Sequence, residues 1–285
     1  MGVRIGLVYD QVTWEIKAIL ETAKFRGVKV NLIDSKTNFF KLNWERGNAS
    51  EFGDVILQRC LSYFRGLNLT AILESMGYTV VNSYRVSEIC GNKLLTTLVL
   101  SKAGVPTPET YVAFTPQSAV AALDRIGYPA VLKPVVGSWG RMIVPLNDRD
   151  VAEAILKERE YMHPLHQIYY IQKRVEKPFR DIRVIVVGEE AVATMYRYSF
   201  RNFKTNVARD SKTEACRITP ELRELALKAA DAVGGGILGV DIMESRDGLV
   251  VHEVNHNVEF RAAASTTGVN IPKYIIGYLL RKAKK

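Results

Sequence analysis

The sequence predicts an α/β protein, and three observations carry that prediction. Short apolar runs alternate with amphipathic helical stretches as far as Asn82. A second strand–helix block surrounds a glycine loop at residues 137–140, and apolar strands with tight turns flank one long amphipathic helix in the last third. Strand–helix alternation predicts a small parallel sheet with helices packed against it.

Taken in order, residues 3–9 (VRIGLVY), 28–33 (VKVNLI) and 54–58 (DVILQ) read as strands, with amphipathic stretches such as IKAILETAKF between them. LTAILESMGYTVVN adds a helix and a strand ending near Asn82. RVSEICGNKLLTTLVLSKAG reads as helical until Pro106 and Pro108 force an extended exit. From Tyr111 the pattern is strand (TYVAF), helix (PQSAVAALDRI), strand (PAVLKP), glycine loop, strand (MIVPL) and helix (RDVAEAILKER). HQIYYIQKRV is a further strand before a β-rich region from Asp181 to Tyr198, whose hairpin turns at Gly188–Glu189. TPELRELALKAADAVGG is the long helix, GGGILGVDIME and GLVVHEVN are adjacent strands turning at Arg246–Asp247–Gly248, and IPKYIIGYLLRKA is a final helix.

Composition narrows the function classes. At 285 residues, with 47% hydrophobic and 24% charged residues, the chain has the make-up of a globular protein with a substantial core. No apolar run is long enough to cross a bilayer, and MGVRIGLVYD has a strand's alternation rather than a signal peptide's apolar stretch. Three scattered cysteines, Cys60, Cys90 and Cys216, argue for a reducing compartment and against a disulfide frame or a zinc site, so a cytoplasmic protein is expected. Net charge is +9, yet apart from the terminal RKAKK the basic residues are spread along the chain. Without a nucleic-acid-binding motif, the excess points to an anionic ligand or an acidic protein partner rather than to nucleic acid.

The stretch DIMESRDGLVVHEVNHNVEFR carries the strongest chemistry. Glu253 and Asn255 lie two apart on a strand, so they share a face, and Asp241 can join them from the neighbouring strand. Three hard oxygen donors on one face suit Mg²⁺, with phosphate oxygens completing its shell; the plain alternative is a solvated sheet face. In PAVLKPVVGSWGRMIVPL, a strand delivers Lys133 to a loop of Gly137, Ser138, Trp139 and Gly140. Backbone N–H groups on such a loop can wrap phosphate oxygens beside the lysine, and Trp139 is unusual for a simple hairpin turn. Lys93 in CGNK is a second candidate cation. In YYIQKRVEKP, Gln172, Arg174 and Val175 sit where a hinge strand would meet an adenine edge, with Glu176 placed for a ribose; an edge strand with a polar exit is the alternative. Arg183 and Arg197 interrupt apolar strands, and a buried arginine requires an anionic partner. Arg183 can stabilise charge on a transferring phosphoryl group. Asn206 and Arg209 follow in a polar segment.

These pieces, in this order, resemble the ATP-grasp superfamily of carboxylate–amine ligases nearly end to end. CGNK, LKPVVGSWGR, YYIQKRVEKPFRDIRV, YRYS, TNVAR and EVNHNVEF resemble the RimK-like ligases within it. The nearest group is similar to LysX, which joins α-aminoadipate to the C-terminal glutamate of the small acidic carrier LysW. The sister ArgX group attaches glutamate to the same carrier. The resemblance implies an α/β ATP-grasp fold with an N-terminal parallel α/β (pre-ATP-grasp) domain over 1–87. A central subdomain with the glycine lid loop follows over 88–171, and a C-terminal subdomain with metal and substrate sites over 172–285. It implies that Lys93 and Lys133 contact ATP phosphates, that Gly137, Ser138, Trp139 and Gly140 form the lid, and that Gln172, Lys173, Arg174 and Val175 form the adenine hinge. Asp241, Glu253 and Asn255 would hold two Mg²⁺ ions, Arg183 and Lys133 would act at the reacting centre, and Asn206 would lie beside the phosphates. Arg197, Asn206, Asn257, Glu259 and Arg261 would line the substrate side, and RCLSYFRGL would touch the amino acid. A homo-oligomer working without nucleic acid or membrane is the implied assembly.

Three departures from the family pattern stand out. VARDS puts Asp210 and Ser211 where two glycines are usual, and the hinge reads QKRV instead of QEYV or QEFV. Ala262–Ala263 matches neither the Asn-led pair of the LysX group nor the Gly-Phe of the ArgX group. Glutamate transfer to LysW, or use of both amino acids, is therefore the alternative ligase reading. Addition of glutamate to a protein tail and a non-catalytic nucleotide- or RNA-binding scaffold are the rivals outside it.

Overall fold

A computed structural model of the protein describes residues 2–42, 51–137, 140–199 and 212–284. The N-terminal part runs β1 (Arg4–Tyr9), α1 (Trp14–Phe25), β2 (Lys29–Asp34), β3 (Val55–Gln58), α2 (Tyr63–Ser75) and β4 (Val80–Val81). Its four strands pair in parallel in the order β2-β1-β3-β4. Ile5, Leu7, Val55 and Leu57 are buried on one face against Ile16 and Ile19 of α1, while Val8 and Ile56 face Leu69 and Leu73 of α2. This is the parallel sheet that the strand–helix alternation predicts.

Two helices follow, α3 (Tyr84–Gly91) and α4 (Lys93–Lys102), where the sequence reads as helical throughout. The break is at Asn92, which is extended (φ −124°, ψ 111°) and bridges to Val136. Its side-chain oxygen accepts from the N–H groups of Leu94 (3.0 Å) and Leu95 (3.4 Å), the capping role to which a short polar side chain is suited.

The second sheet comprises β5 (Thr110–Ala113), β6 (Ala130–Lys133), β7 (Val144–Leu146) and β8 (Tyr169–Lys173), with α5 (Pro116–Ile126) and α6 (Arg149–Arg159) covering it. Its order is β5-β8-β6-β7, all antiparallel. The strand carrying Gln172 is thus an inner strand, not an edge.

The third sheet holds β9 (Arg180–Val187), β10 (Glu190–Tyr198), β11 (Thr213–Ala215), β12 (Ile237–Ser245) and β13 (Gly248–Asn255), antiparallel in the order β11-β10-β9-β12-β13. Helices α7 (Pro220–Val233), α8 (Arg261–Thr267) and α9 (Ile271–Lys282) complete the chain. One face of this sheet, with Val184, Val186, Leu238, Val240 and Ile242, packs on α7. The opposite face packs Ile185, Val187 and Met195 against α9 and the N-terminal sheet, so the first and third sheets share one core. Helix α8 and strand β11 have no counterpart in the sequence reading: seven and three residues are too short for a periodic signal.

Asn82 ties the N-terminal part to the third sheet. Its amide donates to Ile237 O (2.8 Å) and His256 O (2.6 Å), and its oxygen accepts from Ile237 N (2.7 Å). Gly236 permits this approach: at φ +119° it adopts a conformation unfavourable for other residues, and a Cβ there would collide with the Asn82 amide. Among the described residues no helix is long and apolar enough to cross a membrane.

Candidate active site

The face of the third sheet that carries Ile185 and Val187 changes character along its strands. On β9, Val187 and Ile185 are buried and apolar, whereas Arg183 and Asp181, two and four residues earlier on the same face, are ionic. Register sets their neighbours: Asp181 faces Arg197, Arg183 faces Asp241, Asp241 faces Glu253, and Gly239 faces Asn255. Opposed residues in an antiparallel ladder project to the same side. Asp181, Arg183, Arg197, Asp241, Glu253 and Asn255 therefore form one polar surface. Gly239 lets the segment that crosses back after β13 pack closely over the strand, because a Cβ there would come within 2.6 Å of Val258 Cγ2.

Asp241 is fully buried and sits at the centre. Arg183 donates to both its oxygens, Nε to Oδ1 and Nη2 to Oδ2, each at 2.7 Å. Arg197 Nη2 approaches Oδ2 at 3.1 Å as an ion pair without hydrogen-bond alignment, while its Nε donates to Asp181 Oδ1 at 2.7 Å. Burial would push the Asp241 carboxyl up, but Arg183 and Arg197 outweigh it and hold the group well below the ordinary carboxylate range. Burial likewise opposes the charge on Arg197; Asp241 and Asp181 overcome this and raise its pKa. Asn255 donates to Asp241 Oδ2 at 3.4 Å.

The second sheet and α4 bring two lysines to this surface. The extended Asn92 places Lys93 at the start of α4, where its N–H donates to Val135 O at 2.8 Å. The Lys93 ammonium donates to Gly137 O at 2.8 Å and pairs with Glu253 Oε1 at 3.3 Å, so it spans from the loop to β13. Lys133 is buried at the end of β6, with Nζ 2.5 Å from Gln172 Oε1 and 3.3 Å from His252 Nδ1. Gln172 is itself oriented by donating to Tyr170 OH (3.1 Å) and Thr110 Oγ1 (3.0 Å). Burial, opposed by Glu253 and aided by Lys93, pushes Lys133 down to about 7. His252 is held neutral, well below its ordinary value, by burial and by Lys133.

The segment expected to be the hinge is tied to its neighbours through its backbone. Lys173 N donates to Glu109 O (2.9 Å) and Arg174 N to Pro129 O (3.2 Å), whereas the Val175 N–H has no such partner among the described residues. The Lys173 side chain points to an exposed pairing with Glu109 at 3.8 Å, and Glu176 pairs with Arg246 at 2.6 Å.

Asn257, Glu259 and Arg261 lie beyond β13, beside the N-terminal part. Asn257 Nδ2 donates to Cys60 O (2.7 Å), and the buried Arg59 donates to Val258 O (3.0 Å). Arg261 N donates to Glu15 Oε1 (3.3 Å), its guanidinium lies 6.0 Å from the Trp14 ring, and Glu259 is exposed. The RCLSYFRGL segment is thereby docked on residues 257–258, with Asp10 accepting from Leu61 N and Ser62 N. Ala262 is exposed, and Ala263 is buried in the shared core. Ser138, Trp139, Asn206, Arg209, Asp210 and Ser211 lie outside the described residues.

Two residues of this surface were not singled out from the sequence. Asp181 is the anion that Arg197 requires, and it lies two residues before Arg183 on the same strand face, so the need for an acid near two buried arginines pointed to it. His252 had no such signal, because a β-bulge brings it in: Asp241 pairs with Glu253 and Ile242 with Val251, leaving His252 without an opposite residue.

The donor chemistry fits a hard divalent cation. Asp241, Glu253 and Asn255 supply two carboxylates and an amide on adjacent register positions, a set that Mg²⁺ completes with phosphate oxygens and water. Among the described residues no cluster of three His, Cys, Asp or Glu side chains could hold a metal unaided. Arg183 and Lys93 hold the two carboxylates in this structure, so a metal would share or displace them.

Comparison with known proteins identifies the domains and the fold. Residues 5–89 match the LysX preATP-grasp domain, and residues 90–279 match the RimK-like ATP-grasp domain. The α-aminoadipate–LysW ligase LysX of Sulfurisphaera tokodaii is 36% identical, over 99% of this chain and 99% of its own. The glutamate–LysW ligase ArgX of the same organism is 30% identical, over 99% of this chain and 100% of its own. The crystal structure of a RimK-domain ATP-grasp protein from Sphaerobacter thermophilus superposes with a TM-score of 0.81 at 26% identity, covering 97% of this chain and 99% of that one. With the family domain matched over residues 90–279 and a relative 36% identical along nearly the whole of both chains, the chain belongs to the RimK-like ATP-grasp family.

Proposed function

We propose that this chain is an ATP-dependent ligase that joins the α-amino group of α-aminoadipate to the C-terminal glutamate side chain of an acidic LysW-type carrier protein, in lysine biosynthesis. The observation that carries the reading is the convergence of Lys93, Lys133, Arg183, Asp241, Glu253 and Asn255 on one surface beside Gly137. Preference for aminoadipate rests on the higher identity to LysX (36%) than to ArgX (30%) over the same span.

The chemistry is a two-step transfer. A glutamate carboxylate oxygen attacks the γ-phosphorus of ATP, ADP leaves, and an acyl phosphate forms. The amine nitrogen then attacks the acyl carbon, inorganic phosphate leaves, and the nitrogen gives up a proton. Lys93 and Lys133 neutralise phosphate oxygens, the Val175 N–H meets the adenine edge, and Arg183 stabilises charge at the reacting centre. Asp241, Glu253 and Asn255 would hold Mg²⁺, two ions by the family pattern, which supplies charge neutralisation at the phosphates when bound.

The net charge of +9 suits an acidic carrier. Incubation with Mg–ATP, α-aminoadipate and a LysW-type carrier is expected to raise the carrier's intact mass by one aminoadipate less water. A carrier of unchanged mass, with a control ligase active on it, would rule the reading out.

A further inference from the structure

Lys133 is buried, and a buried ammonium usually lies beside a carboxylate. Here the two side-chain atoms that hold it are neutral: Gln172 Oε1 at 2.5 Å from β8 and His252 Nδ1 at 3.3 Å from β13. Each acceptor is built in. Gln172 is fixed by Tyr170 and Thr110, and Tyr170 OH is in turn 2.8 Å from Thr97 Oγ1. His252 is the bulged residue between the Asp241–Glu253 and Ile242–Val251 pairs, which is how a side chain next to Glu253 also reaches the second sheet. When the ammonium donates to Nδ1, the imidazole proton lies on Nε2.

Neutral acceptors do something a carboxylate cannot. They fix the direction of the side chain without forming an ion pair with it, so the charge that phosphates draw onto it has no competing carboxylate in that hydrogen-bond set. Lys93 differs: it is paired with Glu253 and holds the Gly137 carbonyl. We infer that His252 is a positioning residue for Lys133, which together with Gln172 aims the ammonium at the phosphates of a bound nucleotide. The inference rests on the nucleotide-binding reading above and assigns His252 no contact with substrate.

The experiment is calorimetric titration of the full chain with the Mg²⁺ complex of a non-hydrolysable ATP analogue, with adenosine binding followed by ligand-observed NMR. His252→Leu, which removes the acceptor, is expected to weaken the analogue by about tenfold, the size of one lost charge-assisted hydrogen bond. Adenosine binding should be unchanged, because adenosine has no phosphate for Lys133 to meet. His252→Asn, whose Oδ1 occupies the place of Nδ1, should restore analogue binding to within about twofold of wild type. In a Lys133→Met background, His252→Leu should have no further effect. The inference is overturned if His252→Leu binds the analogue as wild type does, if adenosine weakens by the same factor, if Asn is as poor as Leu, or if the two changes add. Wild-type protein that binds no nucleotide overturns the ligase reading itself, a separate result.

Discussion

Arg183 and Asp241 face each other across β9 and β12, joined by two parallel hydrogen bonds of 2.7 Å. Because Arg197 closes on the same carboxylate from β10 and is itself held by Asp181, charges alternate along Asp181, Arg197, Asp241 and Arg183. Asp241 is shared between structure and chemistry: the carboxylate that would hold a metal is also the one that neutralises two arginines.

Asp241→Asn is therefore expected to cost stability as well as activity. Removing the anion from a buried ion-pair network costs about 3–5 kcal/mol, to be read by chemical denaturation. Glu253→Gln, whose side chain is partly exposed beside Lys93, should cost much less while raising the Mg²⁺ concentration needed for half-maximal turnover. The pH dependence carries a sign. A carboxyl lowered on folding contributes stability that is full above its ordinary value near 3.8 and is lost as pH falls through the folded value. Asp241→Asn should flatten that acid limb.

Lys133 gives the opposite case. With its folded value pushed down to about 7, the unfolded chain binds the extra proton between there and the ordinary lysine range, so its contribution to ligand-free stability rises with pH across that window. Phosphates placed beside it draw the proton back. At pH 8, nucleotide binding should take up about one proton, measured by titration in buffers of different ionisation enthalpy. Lys133→Met should abolish that uptake.

Lys93→Ala removes both the anchor on Gly137 and the pairing with Glu253. Loss of a hydrogen bond to a charged group is worth about 1.5–3 kcal/mol, so kcat/KM for ATP should fall by roughly ten- to a hundredfold. Steady-state kinetics at saturating carrier would check it, and an unchanged value would remove Lys93 from the nucleotide site.

Much of this was legible in the residues, for stated reasons. Two-residue periodicity placed Glu253 and Asn255 on one face, and the hairpin turn at Arg246–Asp247 brought Asp241 beside them, as the register records. Strand–helix alternation gave the N-terminal parallel sheet. What escaped depends on departures from periodicity. The bulge at His252 inserts one residue into a ladder that otherwise alternates, and no residue type there announces it. The extended Asn92 interrupts an apparently continuous helix for one residue, and that residue positions Lys93. Arg197, expected at the substrate carboxylate, is only 7% exposed and is engaged by Asp181 and Asp241, a pairing that depends on which strand lies next to β9.

Charge should act on the encounter with the carrier. Raising ionic strength screens a +9 chain from an acidic protein, so KM for the carrier should rise more steeply with salt than KM for ATP. Equal responses would assign the basic excess to another purpose.

The most direct measurement is ADP release with Mg–ATP and a LysW-type carrier, with α-aminoadipate and glutamate supplied in parallel reactions. The account predicts turnover that needs both carrier and amino acid and is faster with aminoadipate, with the carrier gaining the matching mass. Turnover with glutamate alone would contradict the aminoadipate assignment, and no amino-acid-dependent ADP release with either would contradict the ligase account.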